Sequence, residues 1–382
     1  MAYLHSHIQT TQSPKRPGDP CGDVVFIERD EAWTTLALVD GIGSGIRGNL
    51  AAIMAGTRLM ELLRRGMSLR EAFARLVQTM NRSRDVTLSF SAFCVARIRH
   101  DGHATILCHE MPPPILIQPP SATVLDQYTF TLDRAILSEA TCRLGPGEGL
   151  FFMSDGITQA GLGCGMGEGW GSDGVAHHVR DLLQTGASLD DLDAAVHRRA
   201  VEYWGPNAGD DCTATLLTAR DGVCANLISG PPAERERDEA MVDEFFAADG
   251  VKLVCGGSTA AMVARHLDQT LSVPTPKSAI IAPPSYRLAG VDLVTEGTVT
   301  LNQVCNILDV NPGEYSEDSG VTDLASLLQA VDRVNLFAGT AVNPATGDLC
   351  YRQQGIRPRK AILSVLIDKL RAMGKLVTIQ YY

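Results

Sequence analysis

The chain of 382 residues carries 44 acidic and 33 basic side chains, and its net charge at pH 7 is −11. Nucleic acid requires a basic surface, so this balance excludes it as the main partner. The length predicts two domains, and 45% hydrophobic with 20% charged residues is typical of a globular protein.

The cysteines and the N-terminal residues indicate a compartment. Ten cysteines are scattered without a C-x-x-C pair, which disfavours a zinc ribbon and favours reduced thiols. Residues 1–23 contain no apolar segment of the signal-peptide kind, and no apolar run is long enough to span a membrane. We therefore expect a cytoplasmic protein that has no membrane partner.

The first 220 residues predict antiparallel strands with two pairs of helices. A capping box at Ser68 and Glu71 marks the start of the second helix. Strands are predicted at residues 23–28, 33–39, 87–99, 104–108, 150–154 and 212–219. Helices are predicted at residues 49–65, 68–81, 175–183 and 189–203. A mixed antiparallel sheet flanked by helices is the assembly that buries these apolar faces.

A domain boundary is predicted at Gly230-Pro231-Pro232, which is followed by a charged run. We place the first domain at residues 1–229 and the second at residues 230–382. In the second domain, strands predicted at 251–255, 291–294 and 334–338 alternate with helices, and a strand at 376–381 follows the last helix. This alternation predicts a smaller α/β domain with a parallel sheet.

Five acidic residues lie at the ends of predicted strands. Asp23 begins the first strand and Asp40 follows the second, so a hairpin places both at one edge. Asp155 follows the strand at 150–154, while Asp210 and Asp211 precede the last strand of the domain. If these strands share one sheet, the carboxylates converge on one rim.

Converging carboxylates repel one another and therefore require a compensating positive charge. Oxygen-only ligands suit Mg²⁺ or Mn²⁺. Two such ions about 3.5–4 Å apart can activate a water for in-line attack on phosphorus. Each acidic motif alone is typical of a turn. The set of motifs together indicates a two-metal site.

Five motifs follow one another in the first domain. They are Cys21-Gly22-Asp23, Val39-Asp40-Gly41-Ile42-Gly43-Ser44-Gly45, Met111-Pro112-Pro113-Pro114, Phe152-Met153-Ser154-Asp155-Gly156-Ile157-Thr158-Gln159-Ala160 and Gly209-Asp210-Asp211-Cys212-Thr213. The set resembles the PP2C-like phosphatases of the SpoIIE type, the bacterial regulatory branch of the metal-dependent phosphatases. The resemblance spans about residues 8–220 and implies a β-sandwich with helices on its outer faces.

The resemblance also implies the ligands of two Mn²⁺ or Mg²⁺ ions. Asp40 would bridge the two ions, and the carbonyl group of Gly41 would help to bind one of them. Asp155 and Asp210 would complete the shell of the second ion, with Asp211 as the alternative to Asp210.

Other positions complete or depart from the family pattern. Asp23 would act on a metal directly or through water, and the helices at 49–81 would match the family's regulatory helices. Eukaryotic relatives have a histidine where this sequence has Ile42, so another group must protonate the leaving group. Lys15 and Arg16 are the candidates for the phosphate-binding cation.

The second domain contains one further candidate site. Gly256-Gly257-Ser258-Thr259 follows a predicted strand and opens a helix, an arrangement whose backbone N–H groups can bind an anion. The alternative is a tight strand-to-helix turn with Ser258 as the N-cap. An anion site would make this domain a sensor of a phosphorylated or anionic metabolite.

The leading hypothesis is a metal-dependent phosphatase that acts on phosphoserine or phosphothreonine of a bacterial regulatory protein. The family suggests a substrate of the anti-sigma-antagonist kind. Two alternatives remain, a catalytically silent partner-binding module and a hydrolase of small phosphate esters. The second domain is expected to be regulatory or a second enzyme. A homodimer is one assembly compatible with the sequence.

Overall fold

A computed structural model of the chain describes residues 3–41, 43, 45–84, 91–132, 135–205, 209–271, 287–315, 319–342 and 355–382. The chain folds into two compact units, Met1–Asp221 and Gly222–Tyr382. No helix of the described residues combines the length and the apolar character that crossing a membrane requires.

The first unit contains eleven strands and five helices among its described residues. The strands are β1 (Leu4–Ser13), β2 (Asp23–Arg29), β3 (Trp33–Gly41), β4 (Ser91–Arg99), β5 (His103–His109), β6 (Ile115–Gln118), β7 (Ser121–Val124), β8 (Tyr128–Leu132), β9 (Ala135–Arg143), β10 (Gly149–Met153) and β11 (Cys212–Asp221). The helices are α1 (Ile46–Arg64), α2 (Leu69–Arg84), α3 (Asp155–Thr158), α4 (Gly171–Gln184) and α5 (Leu192–Trp204). The part of the predicted strand 87–99 that precedes Ser91 lies outside the described residues.

The strands form two antiparallel sheets that pack face to face. One sheet has the order β1-β11-β10-β6-β7 and the other has the order β2-β3-β4-β5-β9-β8. Leu38 and Ile106 of the second sheet pack against Phe152 and Leu217 of the first. Helices α1 and α2 cover the outer face of the six-stranded sheet, and α4 and α5 cover that of the five-stranded sheet. The predicted β-sandwich with outer helices is confirmed.

The alternation of side chains along β3 explains how one strand serves two cores. Leu38 packs in the core between the sheets, whereas Ala37 and Val39 pack against α1. Helix α1 approaches the sheet closely because it presents small residues. A Cβ at Gly56 would lie 2.0 Å from the ring of Phe26. The strand that ends in the candidate acids is therefore fixed on both faces.

The second unit is a parallel α/β unit, as predicted. Its strands are β12 (Cys224–Ser229), β13 (Val251–Cys255), β14 (Leu293–Thr295), β15 (Arg333–Ala338) and β16 (Leu376–Tyr381). Its described helices are α6 (Asp238–Ala247), α7 (Gly257–His266), α8 (Thr298–Ile307), α9 (Gly320–Ala330) and α10 (Arg359–Ala372). The sheet order is β14-β13-β12-β15-β16, and all four pairs are parallel.

The second unit begins before the Pro-rich segment that suggested the boundary. β12 pairs with β13 and with β15, so residues 224–229 form the centre of the second sheet. The backbone N–H of Val223, the residue before β12, donates to the Asp332 carboxylate at 2.9 Å and fixes the start of this strand. The structural division between Asp221 and Gly222 thus lies before the boundary of 229–230 expected from the sequence.

Candidate functional site

The hairpin of β2 and β3 places two acids side by side. Asp23 is the direct partner of Asp40 in the antiparallel register, so both side chains lie on the same face of the sheet. The backbone N–H of Gly41 donates to the carbonyl oxygen of Gly22 at 3.2 Å and closes the open end of the hairpin. Asp23 is only 1% exposed.

The neighbouring strands β10 and β11 hold two more acids at one end of the other sheet. The backbone N–H of Ser154 donates to the Thr213 carbonyl at 3.0 Å, and that of Thr213 donates to the Ser154 hydroxyl at 2.9 Å. The same hydroxyl donates to the Asp211 carbonyl at 3.3 Å. These bonds fix Asp155, in the first turn of α3, beside the segment that bears Asp211.

Glycines allow the two pairs of acids to meet across the sandwich. A Cβ at Gly22 would lie 2.6 Å from the Oδ2 atom of Asp211, so only glycine permits this approach. The carboxyl group of Asp40 lies within hydrogen-bonding reach of Asp155 and favours the ionised form of Asp155. The structure therefore places Asp23, Asp40, Asp155 and Asp211 at one rim. Their role as metal ligands stays a prediction.

Burial and mutual repulsion favour the protonated form of three of these acids, Asp23, Asp40 and Asp155, by raising their pKa values. Burial, followed by repulsion from Asp23 and Asp155, raises the pKa of Asp40 to about 9. Burial also raises the pKa of Asp23 to about 7, against the opposing effect of the Thr213 and Ser154 hydroxyls. The pKa of Asp155 is raised by burial and by repulsion from Asp210.

The chemistry of the donors fits a hard divalent cation. Both carboxylate oxygens of Asp23 are buried and neither makes a hydrogen bond of normal geometry, an arrangement that costs free energy unless a cation or a proton compensates. The neighbouring groups are also oxygen donors, which Mg²⁺ and Mn²⁺ prefer. Among the described side chains, no three of the His, Cys, Asp or Glu type are close enough to enclose one ion as they stand.

The carbonyl group of Gly41 lies between α1 and the hairpin. A Cβ at Gly41 would lie 1.9 Å from the Gly48 carbonyl oxygen, and a Cβ at Gly48 would lie 2.7 Å from the Gly41 carbonyl oxygen. Both positions therefore require glycine. The first turn of α1 rests directly on the backbone that follows Asp40.

A sequence model of one family, Stage II sporulation protein E (SpoIIE), matches residues 30–220, which is half of the chain. The chain belongs to the SpoIIE family. The match contains Asp40, Asp155, Asp210 and Asp211, and it begins after Asp23. The first unit is thus a SpoIIE-type, PP2C-like phosphatase domain.

Solved structures with a similar fold include members of the same family. The RsbU and RsbW domains of Rv1364c from Mycobacterium tuberculosis are 16% identical, with 64% of this chain and 69% of that chain covered and a TM-score of 0.48. The phosphatase domain of SpoIIE from Bacillus subtilis is 16% identical, with 58% and 95% covered and a TM-score of 0.43. No curated protein matches the chain.

Lys15 of the SpoIIE-type domain lies against the last two acids. Its backbone N–H donates to Asp211 at 2.9 Å, and its Nζ atom lies 3.4 Å from Oδ1 of Asp210. Asp211 is buried, whereas Asp210 is partly exposed and bonds the Asp211 N–H with the same oxygen at 3.0 Å. Arg16, the other candidate cation, is exposed.

Three polar side chains that support the acids were not singled out from the sequence. The amide group of Gln159 donates to Oδ2 of Asp155 at 2.8 Å across one helical turn. Ser154 and Thr213 tie the two strands together, as described above. All three lie inside the quoted motifs, so their position next to a candidate ligand was the available signal.

Replacing Gly156 with alanine should destabilise the SpoIIE-type domain by about 2 kcal/mol or more, as expected for overpacking. The new Cβ would lie 2.1 Å from the Asp211 carbonyl oxygen and would force apart the segments that carry Asp155 and Asp211. Urea unfolding followed by tryptophan fluorescence measures this, because Trp33, Trp170 and Trp204 all lie in the first unit.

The matched control is Gly167→Ala, since a Cβ at Gly167 would meet no atom within 4 Å. Equal urea midpoints for the two variants would contradict the close contact at Gly156.

The candidate anion loop of the second unit adopts a specific turn. Gly256 has a φ of 127°, which only glycine readily adopts, and α7 begins at Gly257 without a side-chain cap. The Thr259 hydroxyl accepts from the Gly230 N–H at 2.8 Å and donates to the Cys255 carbonyl at 3.4 Å. Ser258 is exposed. Thr259 is thus engaged within the fold, and anion binding at this loop stays a prediction.

Proposed function

We propose that the SpoIIE-type domain is a metal-dependent serine/threonine phosphatase that acts on a phosphorylated bacterial regulatory protein. The observation that carries this proposal is the gathering of Asp23, Asp40, Asp155 and Asp211 at one rim with raised pKa values at three of them. Such a cluster is unfavourable unless it binds cations, and an oxygen-only donor set suits two Mn²⁺ or Mg²⁺ ions.

Each acid has a proposed role. Asp40, which is repelled by every other acid in the cluster, would hold both ions, with the Gly41 carbonyl as a further donor. Asp155 and either Asp210 or Asp211 would hold the second ion. When bound, the two ions would lower the pKa of a water and neutralise charge on the phosphoryl oxygens.

Asp23 supports the site from inside the hairpin. Its burial beside Asp40 and its unpaired oxygens fit a contact to a metal, either direct or through a water. Gln159 holds the Asp155 carboxylate in one orientation and would keep it aimed at the site.

A protein substrate is supported by the exposed surface of α1. Ile46, Leu50, Ile53 and Met54 recur at helical spacing and are 67%, 53%, 40% and 73% exposed. Clustered exposed apolar residues mark surfaces for protein contacts, and this stripe begins five residues after Gly41. A small phosphate ester would need no such surface.

The same stripe also fits a partner-binding module without activity, so hydrolysis is the deciding measurement. We expect p-nitrophenyl phosphate and a phosphoserine peptide to be hydrolysed with Mn²⁺ and not with EDTA. Folded, Mn²⁺-loaded protein that hydrolyses neither would overturn the phosphatase proposal in favour of the binding module.

Lys15 is the proposed phosphate-binding cation. Its Nζ atom lies at the acids and remains partly exposed, so it can reach a bound phosphate. Lys15→Ala should raise the KM for p-nitrophenyl phosphate about tenfold with little change in kcat, since a lost contact of about 1.4 kcal/mol changes an affinity tenfold.

Steady-state kinetics in saturating Mn²⁺ measure this effect, with Arg16→Ala as the exposed neighbouring control. A lower kcat at unchanged KM would instead mean that Lys15 only orders Asp210 and Asp211.

A further inference from the structure

Two cysteines of the SpoIIE-type domain face each other in the core between its sheets. Cys94 of β4 and Cys108 of β5 are direct partners in the antiparallel register. Their Sγ atoms lie 2.9 Å apart, although the residues are 14 positions apart in sequence. Directly opposed residues of antiparallel strands have Cα atoms about 4.5–5.5 Å apart, within the range of about 4.4–6.8 Å that a disulfide bridges. The strands therefore already hold these two sulfurs where a bond can form.

The two thiols differ from other buried cysteines in their partners. Cys212, for example, donates to the carbonyl group of Gly156 at 3.3 Å. The described side-chain hydrogen bonds of Cys94 and Cys108 are the contact between the two sulfurs and one amide, that of Gln127, which donates to Sγ of Cys108 at 3.4 Å. The remaining surroundings are apolar side chains of the core. Each thiol thus has the other as its nearest reactive group.

The surroundings of the two sulfurs assign an order to their reaction. Gln127, in the connection between β7 and β8, is partly exposed, and its contact with Cys108 links the pair to the surface. Its amide can compensate negative charge on the Cys108 sulfur during an attack. Burial raises the pKa of Cys94 well above its usual range, so Cys94 keeps its proton. Cys108 is therefore placed to react first and Cys94 second.

Burial also restricts the class of oxidant. Cys94 and Cys108 are each 3% exposed, so a bulky disulfide oxidant has no access to their sulfurs. Hydrogen peroxide is small and uncharged, and it converts a cysteine to a sulfenic acid that condenses with a neighbouring thiol.

We propose that Cys94 and Cys108 are a modification site, at which hydrogen peroxide produces an intramolecular disulfide. The Cys108 sulfur attacks one peroxide oxygen, the O–O bond breaks, and a sulfenic acid forms while one water leaves. The Cys94 sulfur then attacks the Cys108 sulfur, the S–O bond breaks, and the hydroxyl group leaves with the Cys94 proton as a second water. The thiols lose two electrons and one peroxide is reduced to two waters. This site does not depend on the proposed phosphatase function.

The cross-link would brace the strands next to the candidate acids. β4 lies between β3 and β5, and Cys94 is directly opposite Leu38, two residues before Asp40. A disulfide closes the chain between its cysteines into a loop, which restricts the unfolded chain more than the folded one. The oxidised chain should therefore resist urea better than the reduced chain.

Non-reducing tryptic digestion followed by mass spectrometry tests the proposal on the full chain in EDTA. Arg97 and Arg99 lie between the two cysteines, so trypsin places Cys94 and Cys108 in separate peptides. After treatment with hydrogen peroxide, the wild-type digest should contain these peptides joined, with a mass equal to their sum less two hydrogen atoms. Dithiothreitol should separate them. The treated chain should also have a higher urea midpoint of unfolding.

Cys108→Ala should show neither the joined peptides nor the rise in the urea midpoint after peroxide, and Cys94→Ala should behave in the same way. The matched control is Cys142→Ala, which removes a partly buried cysteine of the neighbouring strand β9 and should keep both effects.

The exposed thiol of Cys164 shows whether the peroxide has reacted with the chain. Treated wild-type chain in which Cys164 is oxidised while Cys94 and Cys108 remain free thiols would overturn the proposal. A disulfide that joins either of them to a different cysteine would do the same. Both outcomes are observed on the wild-type chain, so they do not depend on the folding of a variant.

Discussion

Asp40→Asn should reduce Mn²⁺-dependent hydrolysis of p-nitrophenyl phosphate by more than about 100-fold. The loss of residues that merely orient metal ligands costs about 10–100-fold, and a bridging ligand should cost more. The asparagine amide is nearly isosteric with the carboxylate but brings no negative charge. Asp155→Asn should give a comparable loss, because its carboxylate faces that of Asp40.

The matched control is Asp190→Asn, which changes an exposed aspartate of the same unit. It should keep wild-type kinetics. Manganese binding, measured by calorimetry on the same proteins, separates a lost metal from a lost substrate contact. Wild-type activity in Asp40→Asn would show that the acids at this rim do not carry the reaction.

The stability of the metal-free first unit should fall as the pH rises from about 5 to about 9. An unfolded aspartate ionises near 3.8, whereas in the folded chain the pKa is about 7 for Asp23 and about 9 for Asp40. Between these values the unfolded chain releases protons that the folded chain retains, so raising the pH favours unfolding. The stabilisation is complete below about pH 4 and is lost progressively through pH 7 and 9.

Each unit of pKa difference corresponds to about 1.4 kcal/mol, so the total loss should reach several kcal/mol. Urea unfolding at a series of pH values, followed by the tryptophans of the first unit, measures it. Saturating Mn²⁺ should remove the loss, because a bound cation stabilises the ionised acids.

Asp40→Asn provides the sharpest comparison. It removes the acid with the largest shift, so without metal it should be more stable than wild type at pH 8 and nearly equal at pH 5. The titrating groups outside the cluster are common to both proteins, and their effects cancel in the difference. Parallel stability curves for the two proteins would contradict the raised pKa of Asp40.

The sequence correctly predicted those elements whose apolar pattern can be recognised within the element alone. The β2–β3 hairpin alternates apolar residues around a polar break, and its bounds differ from the prediction by one or two residues. Helix α1 begins at Ile46, three residues earlier than predicted, because Gly48 in its first turn is a poor helix former. Contact of Gly48 with the backbone of Gly41 outweighs this propensity.

The elements that were missed depend on their partners. β1 contains mostly His, Ser, Thr and Gln, yet it pairs with β11 over ten residues. The residues of β12 were assigned to the first domain, because a short apolar run does not reveal which sheet it joins. Strand formation in both cases follows from neighbours distant in sequence.

The candidate site was predictable only in part for the same reason. Strand ends predicted that Asp23, Asp40, Asp155 and the pair Asp210 and Asp211 meet at one rim. Nothing local indicates that Asp211 approaches the hairpin through Gly22. Gly22 and Asp211 lie near opposite ends of the sequence of this unit, so their contact depends on the complete fold.

The contact between Gly41 and Gly48 limits which substitutions these two positions can accept. A methyl group at either position would press on the other backbone, and both changes push in the same direction, so neither can compensate for the other. Chains that keep the acids should therefore keep this glycine pair. Because the two backbones touch without an intervening side chain, any displacement of the first turn of α1 must also displace the backbone after Asp40.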